Sequence, residues 1–232
     1  IYARPDQTPD QWAQELTRAI AEGTEHLSLY QLTIEPGTMF EALHKAGKLT
    51  VPDADLGREF YDLTQEVTAA AGLPAYEISN HARPGAECRH NLIYWRSGDF
   101  AGIGPGAHGR LTLGNGRVAT IAERHPETWL TKVETEGSGT ISEDPLLQED
   151  NSDEFLVMGL RLAEGIDLAR YEALSGRTLD AGRIAFLEGE GLLQRLPGKR
   201  LKVGDRVHTT SGLQATIARI DDDNVDLEIA PG

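Results

Sequence analysis

Two turns rich in glycine and proline interrupt the middle of this chain, in the stretch YEISNHARPGAECRHNLIYWRSGDFAGIGPGAHGR from Tyr76 to Arg110. Backbone of this composition is too irregular to form one core element, and loops of this kind commonly carry binding residues. Between the turns lie cysteine, histidine, asparagine, tyrosine and tryptophan side chains. The stretch therefore predicts a ligand-binding region, with regular elements arranged on either side of it.

Four polar and aromatic residues form the pattern H-N-x-x-Y-W, namely His90, Asn91, Tyr94 and Trp95. An imidazole and a carboxamide beside two amphipathic rings suit a flat aromatic ligand, which they contact at its edge and its face. An imidazole is also a common axial ligand of haem iron. A purely structural role gives the same pattern: Tyr94 and Trp95 would be core aromatics, and His90 would cap a backbone carbonyl. The pattern alone does not distinguish this role from ligand binding.

The second turn, GIGPGAHG over residues 102–109, has four glycines in eight residues. Glycines permit positive φ angles and let backbone N–H groups approach an anion or a nucleotide closely. The spacing matches neither the dinucleotide fingerprint nor the P-loop. It predicts a tight loop and is only weak support for a nucleotide site.

Together with LSLYQLTIEPGTMF upstream and DEFLVMGLRLAEGIDLARYEALSGRTL downstream, this stretch resembles the HemW haem-chaperone family. That family belongs to the radical SAM superfamily and is often described as oxygen-independent coproporphyrinogen III oxidase-like. The resemblance covers residues 1–200 and implies an α/β fold. Residues 1–144 would be the C-terminal part of an incomplete (β/α) barrel, and residues 145–200 a winged-helix-like α domain.

The resemblance implies a haem-binding and haem-trafficking protein, with haem or another tetrapyrrole as cargo and haem-accepting proteins as partners. His90, Asn91, Tyr94 and Trp95 would be its haem-binding residues. Relatives contact S-adenosylmethionine at positions that match Thr33, Gly102, Gly104, Gly106 and His108. Thr33 is equally well interpreted as an ordinary strand residue.

The chain has a single cysteine, Cys88, which excludes an internal disulfide. Full-length members of the resembled family hold a [4Fe–4S] cluster with three cysteines in the pattern C-x-x-x-C-x-x-C, and this chain has no such pattern. We therefore expect a truncated protein without its cluster, not active alone as an enzyme. A fragment of a radical SAM coproporphyrinogen III oxidase-type enzyme and a non-functional chimera of two gene ends are the alternatives.

The last residues, 201–232, resemble a different family, the soluble β-domain of YajC, an accessory subunit of the Sec preprotein translocase. Val207, Leu213, Ile217 and Ile220 are spaced for short strands, and residues 221–224 predict a tight turn before an alternating strand at 225–229. We assign no translocase function to so short a segment.

The net charge of −15 disfavours nucleic-acid binding, because phosphate backbones would be repelled. In the segment that a winged helix would use for DNA, Arg183 is the only basic residue against Asp180, Glu188 and Glu190. No apolar run approaches the roughly 18 residues that a membrane-spanning helix needs. These features predict a cytoplasmic protein without a membrane span.

Caps and hydrophobic spacing predict the regular elements. Thr8-Pro9-Asp10-Gln11 opens a first helix with a capping box, and the order strand, helix, strand implies parallel pairing of residues 1–7 with 27–34. The other predicted elements are helices at 39–47, 53–71, 125–133, 149–164, 167–174 and 180–190, extended segments at 75–79 and 192–203, and a hairpin at 111–121.

Some further polar residues lie near the predicted ligand face. Glu35, Glu77 and Glu87 are candidate acid/base or cation-binding groups, although most such carboxylates are solvated. Cys88 is close to His90 in sequence, but an inert buried cysteine is the simpler interpretation and no metal site is predicted. His81 and His125 flank prolines or turns and are predicted to be surface residues.

Overall fold

A computed structural model describes residues 1–114, 116–204, 215–220 and 225–229, the last two segments by their backbone alone. Within these residues the helices are α1 (Pro9–Ala21), α2 (Met39–Lys45), α3 (Ala54–Ala70), α4 (Arg89–Trp95), α5 (Pro126–Glu136), α6 (Gln148–Gly159), α7 (Leu168–Ser175) and α8 (Ala181–Gly189). The strands are β1 (His26–Ser28), β2 (Asn80–Ala82), β3 (His108–Leu113), β4 (Gly116–Ala122), β5 (Thr140–Pro145), β6 (Ile166–Asp167), β7 (Leu193–Leu196), β8 (Arg200–Val203), β9 (Ala215–Ile220) and β10 (Val225–Ile229).

The N-terminal helices form as their caps predict. The Thr8 side chain accepts a hydrogen bond from the Gln11 backbone N–H, and the Gln11 side chain accepts one from the Thr8 N–H, which completes the capping box of α1. The Asp53 carboxylate accepts from the Leu56 N–H and begins α3. Helices α1 and α3 then bury one apolar cluster, formed by Tyr2, Ala3, Trp12, Leu16, Leu29 and Phe60.

The predicted parallel pairing is confirmed at one bridge, between Tyr2 and Gln31. Strand β1, however, pairs antiparallel with β2, with Leu27 opposite His81. The predicted strand at 27–34 is too long, since the regular strand ends at Ser28 and Tyr30 is 52% exposed. The described sheet here has two strands, and the barrel therefore stays a prediction.

The middle of the chain forms an antiparallel sheet in the order β3-β4-β5. The hairpin predicted at 111–121 is confirmed, with Leu111 opposite Val118. β5 adds along β4 with Thr120 opposite Glu143. The β3 end of this sheet continues the glycine-rich turn, so the sheet anchors the predicted binding region.

The C-terminal unit consists of α6, α7 and α8 beside a small antiparallel sheet in the order β6-β8-β7. All three predicted helices are present, and the two arms around Pro197-Gly198 are confirmed as β7 and β8. The unit has its own buried cluster, formed by Phe155, Leu156, Leu160, Ile166, Tyr171, Ile184 and Leu201. The description as a winged helix stays a prediction.

Strands β9 and β10 pair antiparallel, and the predicted strand at 225–229 is confirmed. Ile217 and Ile220 belong to β9, as their spacing predicts. The predicted turn at 221–224, Val207 and Leu213 lie outside the described residues. None of the helices in the described part of the chain is long and apolar enough to cross a membrane.

Candidate functional site

The H-N-x-x-Y-W pattern forms the short helix α4, which follows Cys88 as its half-buried N-cap residue. Successive residues of an α-helix turn by about 100°, and residues four apart share a stripe. His90 and Tyr94 therefore lie on one stripe, and Asn91 and Trp95 on the next. The helix brings all four residues together but presents them in two directions.

The first stripe is a contact pair at the protein surface. The rings of His90 and Tyr94 are perpendicular, with centroids 4.6 Å apart, and the Tyr94 hydroxyl lies 3.0 Å from Nε2 of His90. Phe100 contacts the other side of the Tyr94 ring, again edge-on, at 4.3 Å between centroids. His90 is exposed and Tyr94 half-buried, so this pair is open to a ligand from solvent.

Asn91 faces a polar contact chain instead. Its Nδ2 donates to the Tyr76 hydroxyl at 3.2 Å, and that hydroxyl lies 2.9 Å from Nε2 of His26. Because Asn91 donates, the Tyr76 hydroxyl is free to donate to His26. Burial raises the pKa of Tyr76, so its hydroxyl keeps its proton. Asn91 therefore fixes α4 against the strand region before it.

Trp95 faces the C-terminal unit. The guanidinium carbon of Arg161 lies 4.6 Å from the centre of its ring, and the indole Nε1 is buried without a hydrogen-bond partner. Arg161 also donates to Glu77, at 3.1 and 3.3 Å, and the Glu77 side chain is 0% exposed. Glu77 accepts further hydrogen bonds from the Ser79 N–H and from Asn80 Nδ2. Trp95 is thus part of an inter-unit contact.

The other candidate carboxylates lie in separate places. Glu35 accepts a hydrogen bond from the Thr33 hydroxyl at 3.0 Å, and Glu87 accepts one from the Gly85 N–H at 3.0 Å. Both contacts are local and exposed. Across residues 1–114 and 116–204, no three histidine, cysteine, aspartate or glutamate side chains are grouped closely enough to hold a metal ion.

The prediction that His81 is a surface residue is wrong, because its relative exposure is 1%. It lies in β2, whose three residues are all buried, and neither ring nitrogen has a hydrogen-bond partner. Burial lowers the pKa of His81 to about 4. The nearby proline suggested a turn, but pairing with β1 covers this strand. His125 is exposed, as predicted.

The glycine-rich turn forms a loop closed by two backbone hydrogen bonds between Phe100 and Arg110, at 2.7 and 2.8 Å. Gly102 passes so close to His108 that a Cβ atom on Gly102 would lie 2.6 Å from the His108 carbonyl. Gly104 and Gly106 have φ angles of 108° and 69°, the region that glycine favours. The tight loop is therefore confirmed, and Phe100 at its base connects it to Tyr94.

The loop also presents an apolar tip, since Ile103 is 87% exposed. Ile93, three residues after His90 on α4, is 39% exposed. A cavity of about 110 Å³ lies near Tyr171, and a groove of about 490 Å³ lies between α1 and α3. Neither is lined by a residue of the His90 stripe. His90, Ile93 and Ile103 are therefore exposed at the protein surface.

Two family models match parts of the chain. Residues 146–203 match the HemN C-terminal domain, and residues 198–232 match YajC, described as a preprotein translocase subunit. The first match coincides with the C-terminal unit. The second includes β9 and β10 and begins within the β7–β8 hairpin.

Curated relatives extend the likeness over most of the chain. The heme chaperone HemW of Synechocystis sp. is 37% identical over 75% of this chain, and that of Escherichia coli 35% identical over 79%. This part of the chain is HemW-like. The radical S-adenosyl methionine domain-containing protein 1, mitochondrial, of Mus musculus is 42% identical over 70% of the chain. The aligned parts make up only 42%, 46% and 38% of these three relatives, so the HemW-like chain spans less than half of each.

A solved structure agrees with this likeness at the level of the fold. The radical SAM enzyme coproporphyrinogen III oxidase (HemN) from Escherichia coli aligns with 88% of this chain and 50% of its own, with a TM-score of 0.62. Sequence identity is 19%, so this match concerns the α/β fold alone. The HemW-like chain therefore has the architecture of half of such a protein.

Proposed function

We propose that this chain binds haem or a related tetrapyrrole and takes part in its transfer to haem-accepting proteins. The observation that carries the proposal is the edge-on pair of the exposed His90 and the half-buried Tyr94, on a helix whose other stripe is fixed to the protein. Both side chains have atoms able to ligate haem iron. The names of the HemW relatives support the same class of ligand.

Exposed apolar side chains on α4 and in the glycine-rich loop suit a planar apolar molecule. Ile93 of α4 and Ile103 of the loop both expose aliphatic groups. Covering such groups with the face of a macrocycle removes apolar surface from water, which stabilises the complex by about 25 cal/mol for each Å². Asn91 and Trp95 would contribute by holding α4 in place, since both are engaged with the protein itself.

The radical SAM cofactors are those expected for full-length members of the resembled family. Cys88 alone does not supply the three thiolates of a [4Fe–4S] site, so the residues present do not fit that cluster. Thr33, Gly102, Gly104, Gly106 and His108 stay a predicted S-adenosylmethionine contact set. A coproporphyrinogen III oxidase-type activity would need both cofactors, and tetrapyrrole binding needs neither. For that reason we favour binding over catalysis.

The finer architecture is part of the same proposal. Residues 1–144 would form the last part of a (β/α) barrel, residues 145–200 a winged-helix-like domain that docks onto it, and residues 201–232 a YajC-like segment. A chimera of two gene ends would account for that last segment. A cytoplasmic location is proposed for the chain, although a relative from Mus musculus carries the name mitochondrial.

Hemin titration followed at the Soret band tests the proposal. The wild-type chain should bind hemin with a shifted Soret band, and His90→Ala should weaken that binding. His125→Ala is the matched control, because His125 is an exposed histidine outside α4. An unchanged titration in His90→Ala would remove the site assignment, and a wild-type chain that leaves the hemin spectrum unaltered would contradict the proposed function.

A further inference from the structure

His90 and Tyr94 each have an atom that can ligate haem iron. The contact between the two side chains indicates which of them is the ligand. The Tyr94 hydroxyl oxygen lies 3.0 Å from Nε2 of His90 as its hydrogen-bond partner. Metal–imidazole bonds are about 2 Å long. Iron bonded to Nε2 would therefore occupy the space in which the Tyr94 oxygen stands. The other ring nitrogen, Nδ1, lies beside the main chain of its own residue, where a macrocycle has less room.

The Tyr94 hydroxyl is held where it is from two sides. The His90 ring meets the Tyr94 ring at 88° and the Phe100 ring meets it at 77°. Phe100 is itself fixed by its two backbone hydrogen bonds to Arg110. The glycine-rich loop thus positions the tyrosine, and moving Tyr94 off His90 would break packing contacts as well as the hydrogen bond. When the hydroxyl donates to His90, the oxygen keeps lone pairs that this hydrogen bond does not use.

We infer that the Tyr94 oxygen, rather than His90, ligates ferric haem, and that His90 receives the phenol proton. The inference rests on the proposed haem-binding function. The Tyr94 O–H bond breaks and its proton moves to Nε2 of His90. The phenolate oxygen forms the Fe–O bond, and the axial water of hemin leaves. The iron stays ferric throughout and the total charge is unchanged.

The residues present supply both the iron ligand and the proton acceptor that this step requires. Tyrosine ligates haem iron in other proteins, as in catalase. Proton acceptance requires a base within hydrogen-bond reach of the phenol, and His90 meets that requirement at 3.0 Å. The exposed imidazole can then donate to water. His90 acts as a positioning residue, and the motif pattern supplies the ligand and its proton acceptor one helical turn apart.

Visible absorption and resonance Raman spectra of the hemin complex test the inference. Ferric phenolate ligation gives a charge-transfer band at the red end of the visible spectrum and an Fe–O(phenolate) vibration, and imidazole ligation gives neither. We expect both signals in the wild-type complex. Tyr94→Phe should abolish them and weaken hemin binding about tenfold, which is about 1.4 kcal/mol. His90→Ala should keep Tyr94 as the ligand but, without the proton acceptor, should need a higher pH to give both signals, with a smaller loss of affinity than Tyr94→Phe.

Tyr30→Phe is the matched control, because Tyr30 is an exposed tyrosine outside α4, and it should leave spectrum and affinity unchanged. Far-UV circular dichroism checks that each variant is folded. Should Tyr94→Phe fail to fold, the His90→Ala arm still decides: phenolate signals that return in that variant at higher pH keep Tyr94 as the ligand, and bound hemin that shows them at no pH overturns the inference. Bound hemin without phenolate signals in the wild-type chain overturns the inference but keeps the proposed function. Absence of hemin binding overturns both.

Discussion

The guanidinium carbon of Arg161 lies 4.6 Å above the centre of the Trp95 ring. The same guanidinium donates two hydrogen bonds to Glu77, whose carboxylate is completely buried. A residue of the C-terminal unit thus links the motif helix to a carboxylate next to β2. Such a contact holds α4 in one orientation, which in turn fixes the direction of the His90 stripe.

Removal of Arg161 is expected to be strongly destabilising. Arg161→Met would leave the buried Glu77 carboxylate without its positive partner, and breaking a buried pair in this way costs about 3 kcal/mol or more. Urea unfolding measures the change in free energy. Arg58→Met is the control, since Arg58 forms only an exposed pair with Asp62 and should cost less than about 1 kcal/mol. Equal losses of unfolding free energy in the two variants would show that the buried pair contributes no more than an exposed one.

His81 is expected to make the protein sensitive to acid. Its folded-state pKa of about 4 is below the ordinary histidine pKa of 6.5, so the unfolded chain takes up a proton first as the pH falls. Stability should therefore decrease between pH 6.5 and 4, by up to about 3 kcal/mol from this residue. His81→Leu should remove that part of the decrease. The measurement compares unfolding free energies at pH 7 and pH 5, with His125→Leu as an exposed control.

A variant that loses as much stability on acidification as the wild type would contradict this explanation. Aspartate and glutamate side chains also contribute to acid unfolding in both proteins. The informative quantity is therefore the difference between wild type and His81→Leu in the unfolding free energy lost from pH 7 to pH 5.

The buried hydrogen bond from Trp12 Nε1 to the Thr64 hydroxyl, 2.8 Å long, joins α1 to α3. Thr64→Val keeps the side-chain shape but leaves the indole N–H unpaired. We expect a loss of about 1–3 kcal/mol in the free energy of unfolding. Thr17→Val is the control, because the Thr17 hydroxyl contacts only an exposed helix carbonyl, and its effect should stay within about 0.5 kcal/mol. A Thr64→Val variant as stable as Thr17→Val would mean that the bond contributes nothing.

The close approach at Gly102 predicts a role for the loop in binding. Gly102→Ala would place a Cβ atom 2.6 Å from the His108 carbonyl, so the loop must shift and Phe100 with it. Hemin binding should weaken because Phe100 no longer supports Tyr94. Gly114→Ala meets open space and should bind normally. The measurement is the Kd for hemin of each variant. Equal Kd values for Gly102→Ala and Gly114→Ala would show that the loop does not support the binding site.

The local parts of this structure were predictable from the sequence. Thr8 and Gln11 define the start of α1 because a capping box depends only on neighbouring residues. The hairpin at 111–121 and the glycine-rich loop followed likewise from local turn chemistry. In the site, the four motif residues were predicted but helix α4 was not, and the shared stripe of His90 and Tyr94 follows only from that helix.

The long-range parts were not predictable in this way. Nothing near Trp95 in the sequence indicates that Arg161 covers it, because that contact depends on how the C-terminal unit docks. His81 was placed wrongly for the same reason, since its burial follows from the pairing of β1 with β2. Glu77 was predicted as one of three similar carboxylates, and only its partners distinguish it.

Hydrogen–deuterium exchange of the wild-type chain with and without hemin tests most directly whether a tetrapyrrole binds at α4 and the glycine-rich loop. Hemin should slow exchange of the backbone amides within residues 89–110, and His90→Ala should lessen that protection at a hemin concentration below saturation. Protection confined to another region, such as the groove between α1 and α3, would contradict this location of the site.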